Sequence, residues 1–468
     1  MKKILNLFKI AVATFTAALI IVSCSKKDEE PLSSDNILKS FDIQISNNPQ
    51  LKQSCYGVIC GNIIYITVPQ GQGSLKFVPT YNNGNGSHLV IGQREILSGI
   101  DETTLPDNSS VISVAPDGTT TEYTLLVREG DTRIDHSVYQ LMKDYSIPGV
   151  SLCITENEEL SYSAGYGYAD VEKRVRTLPT HLFRLASMSK CQTSMCVMKL
   201  IEDGRLSITD KVFGENGILK DEFPGPYVSG ADRVTIQDLL EHTSGWKSDP
   251  DPMFTSDKRF YGKSLNERIK YVIGNVKQTY QPGTKYSYYN LGFGILGKVI
   301  EKVSGQPYEL FLKEKIHAPL GITNIHVGGD RSGKRADEVV YYSQDGTNGY
   351  GNDMEVIAAA GGLIASGTDL MKLMCGVDYG TKVPDILKKE TLDLMYTPSA
   401  AYSRYAKGWR VNYPVNNHWA SYHSGNLAGT GVLWVRGNNG KNAVILCNSR
   451  SYKDGFDDAL YTILLDVI

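Results

Sequence analysis

The sequence predicts an α+β fold: an antiparallel sheet flanked by helices with a helical subdomain, preceded by a small all-β sandwich. Three observations carry that expectation. From Ile37 to about Arg128 apolar and polar residues alternate at period two, and turn clusters such as Asn82-Asn83-Gly84-Asn85-Gly86 and Pro116-Asp117-Gly118 divide the runs. From Arg133 a helix, a hairpin and a second helix follow one another, the order of an antiparallel sheet packed by helices rather than of a Rossmann winding. Towards the C-terminus Trp409-Arg410-Val411, Trp419 to His423, Thr430 to Val435 and Ala443 to Cys447 read as successive strands of one sheet.

At 468 residues the chain is long enough for two or three domains, and 41% hydrophobic with 21% charged residues is a globular composition. The net charge is −3, and loss of Lys2, Lys3 and Lys9 with the leader takes it to −6, which argues against nucleic acid as the partner. Met1-Lys2-Lys3, followed by the apolar run from Ile10 to Val22, has the shape of an export signal and is too short for a comfortable membrane span. Ile21-Val22-Ser23-Cys24 resembles a bacterial lipobox, which implies cleavage before Cys24, its acylation and attachment to the outer membrane, on its periplasmic face or at the cell surface. Residues 1–24 are then the signal peptide and 25–36 a tether, whose charged start, Ser25 to Glu30, also resembles a surface-export signal. The other cysteines show no C-x-x-C pair, so neither a disulfide framework nor a zinc site is indicated. Cys55 and Cys60 could bridge across a turn, a point the sequence leaves open.

Residues 37–130 form the β module. Phe41 to Ile45, Ile64 to Val68, Val111 to Val114 and Tyr123 to Val127 are its strands, and the closing Asp-Gly turn plus strand is similar to Ig-like modules of surface lipoproteins. No catalytic constellation occurs there; a spacer and a glycan- or protein-binding role are both open. Gly130-Asp131-Thr132 reads as a short linker to the second domain, 131–468.

In that domain Ile134, Val138, Leu141 and Met142 form a helical stripe ended by Pro148-Gly149. Val150 to Thr155 and Leu160 to Tyr166 make a hairpin. The next helix runs from Cys191 to Asp203, stopped by Gly204, and places Ser187 and Lys190 together on its first turn. A serine hydroxyl needs an adjacent base, and a lysine one turn away supplies one when neutral. The helix N-terminus adds unpaired N–H groups for an oxyanion. No G-x-S-x-G elbow and no Gly-rich phosphate loop occurs, and nothing implies a metal or cofactor. Thr235 with Asp238 is close to a capping box, and His242 at the end of that helix reads as a structural or capping histidine.

Tyr288 and Asn290 lie just before a helix from Leu291 to Val303, where both can face a cleft; a phenol beside a cation is expected to become usable as a base. Ala358 to Ser366 is a small-residue run that lets backbones approach, with a helix over 368–375 behind it. His423-Ser424-Gly425 borders the cleft on a strand, where a histidine can place a donor or a cation on the substrate.

The ordered segments Ser187-Met188-Ser189-Lys190, Tyr288-Tyr289-Asn290 and His423-Ser424-Gly425 together resemble the serine β-lactamase and penicillin-binding protein superfamily, in its class C-like branch, over residues 133–468. The resemblance implies that Ser187 forms an acyl-enzyme, that Lys190 and Tyr288 share the general-base work, and that Asn290 orients Lys190 or the substrate amide. It implies an oxyanion hole from the N–H groups of Ser187 and Asn426, with His423, Ser424 and Gly425 lining the substrate. His423 stands where the family has lysine, and Tyr289 where serine is usual. A histidine in this slot is similar to esterase and D-aminopeptidase members and should hold a carboxylate less well. The expected activity is a serine hydrolase acting on a small-molecule or peptide ester or amide. D-Ala peptides or β-lactams are the alternative substrates, and a non-catalytic cell-wall sensor is the alternative from another class.

Overall fold

The computed structural model describes residues 32–228, 230–247, 251–253 and 258–468; the leader and Cys24 lie outside the described residues. The β module is built on a six-stranded sheet in the order Val58–Cys60, Ile63–Val68, Thr120–Glu129, Ser109–Val114, His88–Ile91, Arg94–Ile96. A three-stranded sheet, Cys55–Tyr56, Ser40–Ile43, Thr80–Asn82, accompanies it. Alternation sends Phe41 and Ile43 of the smaller sheet and Ile64, Ile66, Val111 and Leu125 of the larger one into a shared core. Most pairs are antiparallel, but Ile63–Val68 runs parallel to Thr124–Glu129. Cys55 and Cys60 are both free thiols.

The second domain has nine helices among the described residues: α1 (Thr132–Tyr145), α2 (Ser189–Glu202), α3 (Ile236–Leu240), α4 (Leu265–Asn275), α5 (Asn290–Ser304), α6 (Tyr308–Leu312), α7 (Gly367–Cys375), α8 (Lys389–Tyr396) and α9 (Phe456–Leu465). Its seven-stranded antiparallel sheet has the order Val175–Arg176, Glu159–Asp170, Gly149–Glu156, Lys441–Cys447, Thr430–Gly437, His418–Leu427, Arg410–Val415. The central strands are apolar on both faces, because both are covered. Leu433, Val435 and Ile445 pack with α1 and α9, while Val432, Trp434, Val444 and Leu446 face the other way, into the core that holds α2, α5 and α7. The expected capping box at α3 is present, with Thr235 and Asp238 satisfying each other's backbone N–H.

The two domains are joined without slack. The strand ending at Glu129 leads directly to Asp131, whose carboxylate accepts from the N–H groups of Arg133 and Ile134 and caps α1. One turn on, Asp135 is fully buried. It accepts from Thr67 Oγ1 at 2.8 Å and from the Tyr166 and Tyr162 hydroxyls, and lies 3.1 Å from Arg128 Nε. Thr67 and Arg128 belong to the β module, and Asp135, Tyr162 and Tyr166 to the second domain. Val58, Tyr65 and Leu126 of the module share an apolar cluster with Val138, Tyr139 and Tyr166 around this ion pair.

Candidate active site

Phe183-Arg184 pairs with the Leu363–Ala365 strand, and the chain then turns through a single 3₁₀ turn, Ala186–Met188, into α2. Ala186 has φ +47°, a left-handed conformation that costs an L-residue energy and is held here by its surroundings. Gly361 lies against Ala186 on one side: a Cβ at 361 would be 3.5 Å from the Ala186 carbonyl carbon. On the other side a Cβ on Gly425 would stand 2.2 Å from the Leu185 oxygen and 3.0 Å from Ala186 Cβ. Gly425 is therefore required for the strand to lie this close to the turn that carries Ser187, while a methyl at 361 would make an ordinary contact. Ser187 is partly exposed, whereas Ser189 is buried and accepts from the Leu363 N–H at 3.2 Å. Only the first serine of the motif faces Lys190.

Lys190 is fully buried, with Nζ 3.0 Å from Ser187 Oγ and 2.6 Å from the Ala360 carbonyl oxygen. The π-helical turn Ala358–Gly362 presents that oxygen. Burial pulls the ammonium from 10.5 down to about 7, against the opposing pull of Asp251. The amine sits 5.0 Å from the ring centre of Tyr288. The Ser187 side chain is close enough to the Tyr288 phenol to act on its ionisation, so hydroxyl, amine and phenol come together in one place. The expectation that neighbouring cations would make Tyr288 acidic is reversed: burial dominates and raises the phenol well above 10, so it rests protonated.

The His418–Leu427 strand forms the opposite wall. Its first half pairs with Arg410–Val415 up to Tyr422, leaving residues 423–427 with an edge that no described strand covers. Leu427 and Thr430 flank a two-residue hairpin and are a hydrogen-bonded pair, so by alternation Asn426 and Ser424 turn their N–H and C=O towards that open edge. The side chains alternate as well. Gly425 faces the Ser187 turn, whereas Ser424 lies beside Tyr461 of α9 and the Asn426 side-chain oxygen accepts from Arg450. Beside Asn426 and Leu427 opens a cavity of about 950 Å³, walled by Tyr261, Asn348, Asp353 and Tyr452.

Two sequence expectations need correction here. His423 does not present a cation: it is buried, its Nδ1 lies 2.7 Å from the Ser424 oxygen and its Nε2 3.2 Å from the Tyr405 hydroxyl. Burial beside Lys190 and Arg410 lowers it to about 3, so it is neutral at ordinary pH. Asn290 does not bond to Lys190; its amide nitrogen donates to Asp251, and its oxygen has no partner among the described residues. Sequence reasoning missed Asp251, Tyr405 and Arg410. The Nε of Arg410 is buried without a partner among the described residues, and its guanidinium lies among Tyr286, Tyr422, Tyr405 and Tyr461. His242 is structural, as expected: it is buried, and its Nδ1 accepts from the Tyr289 N–H at 3.0 Å.

Comparison with known proteins agrees with the fold of the second domain. The family model described as Beta-lactamase matches residues 134–466. The protein flp of Staphylococcus aureus strain N315 is 29% identical over 226 residues, 48% of this chain and 44% of that protein, so the chain spans less than half of this relative. The N-acetylmuramyl-L-alanine amidase of Bacillus subtilis strain 168 is 25% identical over 307 residues, 58% of this chain and 69% of the amidase. Among solved structures, the octameric penicillin-binding protein homologue from Pyrococcus abyssi superposes with TM-score 0.61 at 25% identity, over 72% of this chain and 76% of that one. The D-amino acid amidase from Ochrobactrum anthropi SV3 shares the fold with TM-score 0.58 at 20% identity, over 71% and 97%.

Proposed function

The chain belongs to the beta-lactamase family, and from that premise we propose that it is a serine hydrolase opening ester or amide bonds through an acyl-enzyme on Ser187. The observation that carries the reading is the buried Lys190, 3.0 Å from Ser187 Oγ and lowered to about 7. A neutral amine there keeps its N–H on the Ala360 carbonyl and offers its lone pair to the serine proton. Ser187 Oγ attacks the acyl carbon as that proton moves to Lys190 Nζ. The N–H groups of Ser187 and Asn426 receive the oxyanion. The Tyr288 phenol, protonated at rest and beside Ser187, gives its proton to the departing oxygen or nitrogen and is reprotonated from Lys190. Water then opens the acyl-enzyme by the same proton path in reverse, and no cofactor is required.

Arg410 favours a second reading of the substrate. The neutral His423 offers no charge to a carboxylate, which suits uncharged esters and amides. The guanidinium of Arg410, directed among tyrosines, supplies a cation that a D-Ala peptide or β-lactam carboxylate needs. The D-alanine carboxypeptidase from Burkholderia cenocepacia, a fold neighbour, acts on such peptides by its name. A fluorophosphonate probe and a fluorescent penicillin test the chemistry. Both should label the wild type and neither should label Ser187→Ala; an unlabelled wild type would return the protein to a binding role. Hydrolysis of short acyl esters, nitrocefin and D-Ala peptides ranks the substrates. We further propose that acylated Cys24 holds the chain on the outer membrane, tested by incorporation of a palmitate label that Cys24→Ala loses.

A further inference from the structure

Four hydrogen bonds cross the floor of the site in one line. The Tyr289 N–H donates to His242 Nδ1 at 3.0 Å, His242 Nε2 lies 3.1 Å from the Tyr405 hydroxyl, that hydroxyl lies 3.2 Å from His423 Nε2, and His423 Nδ1 lies 2.7 Å from the Ser424 carbonyl oxygen. The two ends fix every proton between them. His242 Nδ1 accepts a backbone N–H, so a neutral His242 carries its hydrogen on Nε2 and donates to the Tyr405 oxygen. A carbonyl can only accept, so His423 carries its hydrogen on Nδ1 and its Nε2 is a bare acceptor. The single hydroxyl hydrogen of Tyr405 then has one place to go, His423 Nε2. We propose that Tyr405 is a positioning residue that locks His242 and His423 in opposite neutral tautomers and so ties the Tyr288 segment to the His423-Ser424-Gly425 strand.

The surroundings support the lock. The His242 ring packs at a tilt of 39° against the Tyr288 ring, their centres 4.2 Å apart, and the Ser287 N–H donates to the His242 carbonyl at 2.8 Å, so fixing this imidazole fixes the phenol. The charged groups facing the two imidazoles are Lys190 and Arg410, and both oppose an imidazolium; the rings against them are Tyr286, Tyr288, Tyr405 and Phe293. The loop carrying Tyr405 is itself held. Lys407, two residues on, makes a buried ion pair with Glu241 at 2.8 Å and donates to the Thr397 carbonyl at 2.9 Å. Glu241 immediately precedes His242, so tyrosine and histidine are anchored to each other twice.

The tautomer claim rests on geometry alone; only its kinetic consequence rests on the hydrolase reading. Long-range ¹H–¹⁵N spectra of the full chain, with the two rings assigned by His242→Gln and His423→Asn, should show Nε2–H on His242 and Nδ1–H on His423 at pH 7. The opposite tautomer on either ring, or an imidazolium, overturns the proposal whether or not the protein is active. Tyr405→Phe keeps the ring and removes the hydroxyl. It should change both imidazole patterns, lower kcat about tenfold, the scale of one lost neutral hydrogen bond, and leave KM within about twofold of wild type. Freed from the hydroxyl donor, His423 should add a second ionisation below pH 7 to the kcat/KM profile. A Tyr405→Phe protein with unaltered imidazole spectra and an unaltered profile refutes the lock. If that variant does not fold, the wild-type spectrum decides.

Discussion

Replacing Lys190 by Met should make the protein more stable and inactive, and the gain should depend on pH. Lys190 is held at about 7 in the folded chain against 10.5 when solvated. The unfolded chain therefore binds an extra proton throughout the interval between those values, and stability rises with pH across it. Below pH 7 the folded state bears the whole cost of either charging or neutralising the buried amine. At pH 6 that is about 5 kcal/mol, and at pH 9 it has fallen to about 2 kcal/mol. Methionine removes this cost but leaves the Ala360 carbonyl unpaired, a loss of about 1–3 kcal/mol that does not change with pH. The variant should thus gain about 2–4 kcal/mol at pH 6 and about 3 kcal/mol less at pH 9. With an unfolding entropy of about 2.1 cal/mol/K per residue over the two domains, which unfold together, each kcal/mol moves Tm by about 1.1 °C. Paired calorimetric scans of Lys190→Met and wild type should show a Tm difference about 3 °C more positive at pH 6 than at pH 9. Packing effects cancel in that comparison. An equal difference at both pH values, or a larger one at pH 9, would refute the lowered lysine and the mechanism built on it.

For the wild type, kcat/KM towards a small neutral ester should rise with pH and level off above about 7; at pH 5 about 1% of Lys190 is neutral, so the rate should lie about 100-fold below the plateau. Gly425→Ala puts a methyl 2.2 Å from the Leu185 oxygen and must push the strand off the turn that carries Ser187. It should cost about 100-fold in kcat/KM while far-UV circular dichroism stays unchanged. Asp135→Ala strands Arg128 beside a buried cluster and should lower the denaturation free energy by about 3–5 kcal/mol, read by urea titration. Probes in the β module and in the second domain should report that loss at one shared midpoint.

Much of this architecture was legible because it is written in local patterns. The helical stripe from Ile134 to Met142, the Thr235–Asp238 capping pair and the alternation of the last strands each depend on residues within a few positions of one another. The spacing of Ser187 and Lys190 likewise fixes their contact once a helical turn is granted. What escaped depends on distance and burial. The parallel pairing of Ile63–Val68 with Thr124–Glu129 joins strands that no turn connects. Tyr405 stands among 28 tyrosines and carries no marker until folding sets it between two histidines. The sign of the Tyr288 shift turned on whether desolvation outweighs a nearby cation, and only the packed site decides that. Asn290 was read towards Lys190 or the substrate amide; Asp251, from a loop 39 residues earlier, takes its amide nitrogen, which removes the first of these.

The seamless junction at Asp131 makes the β module a handle rather than a leash. A handle transmits direction. If the module is held by another surface, the open edge of residues 423–427 is aimed by that hold, so the bearing of the edge is set some 290 residues upstream in sequence.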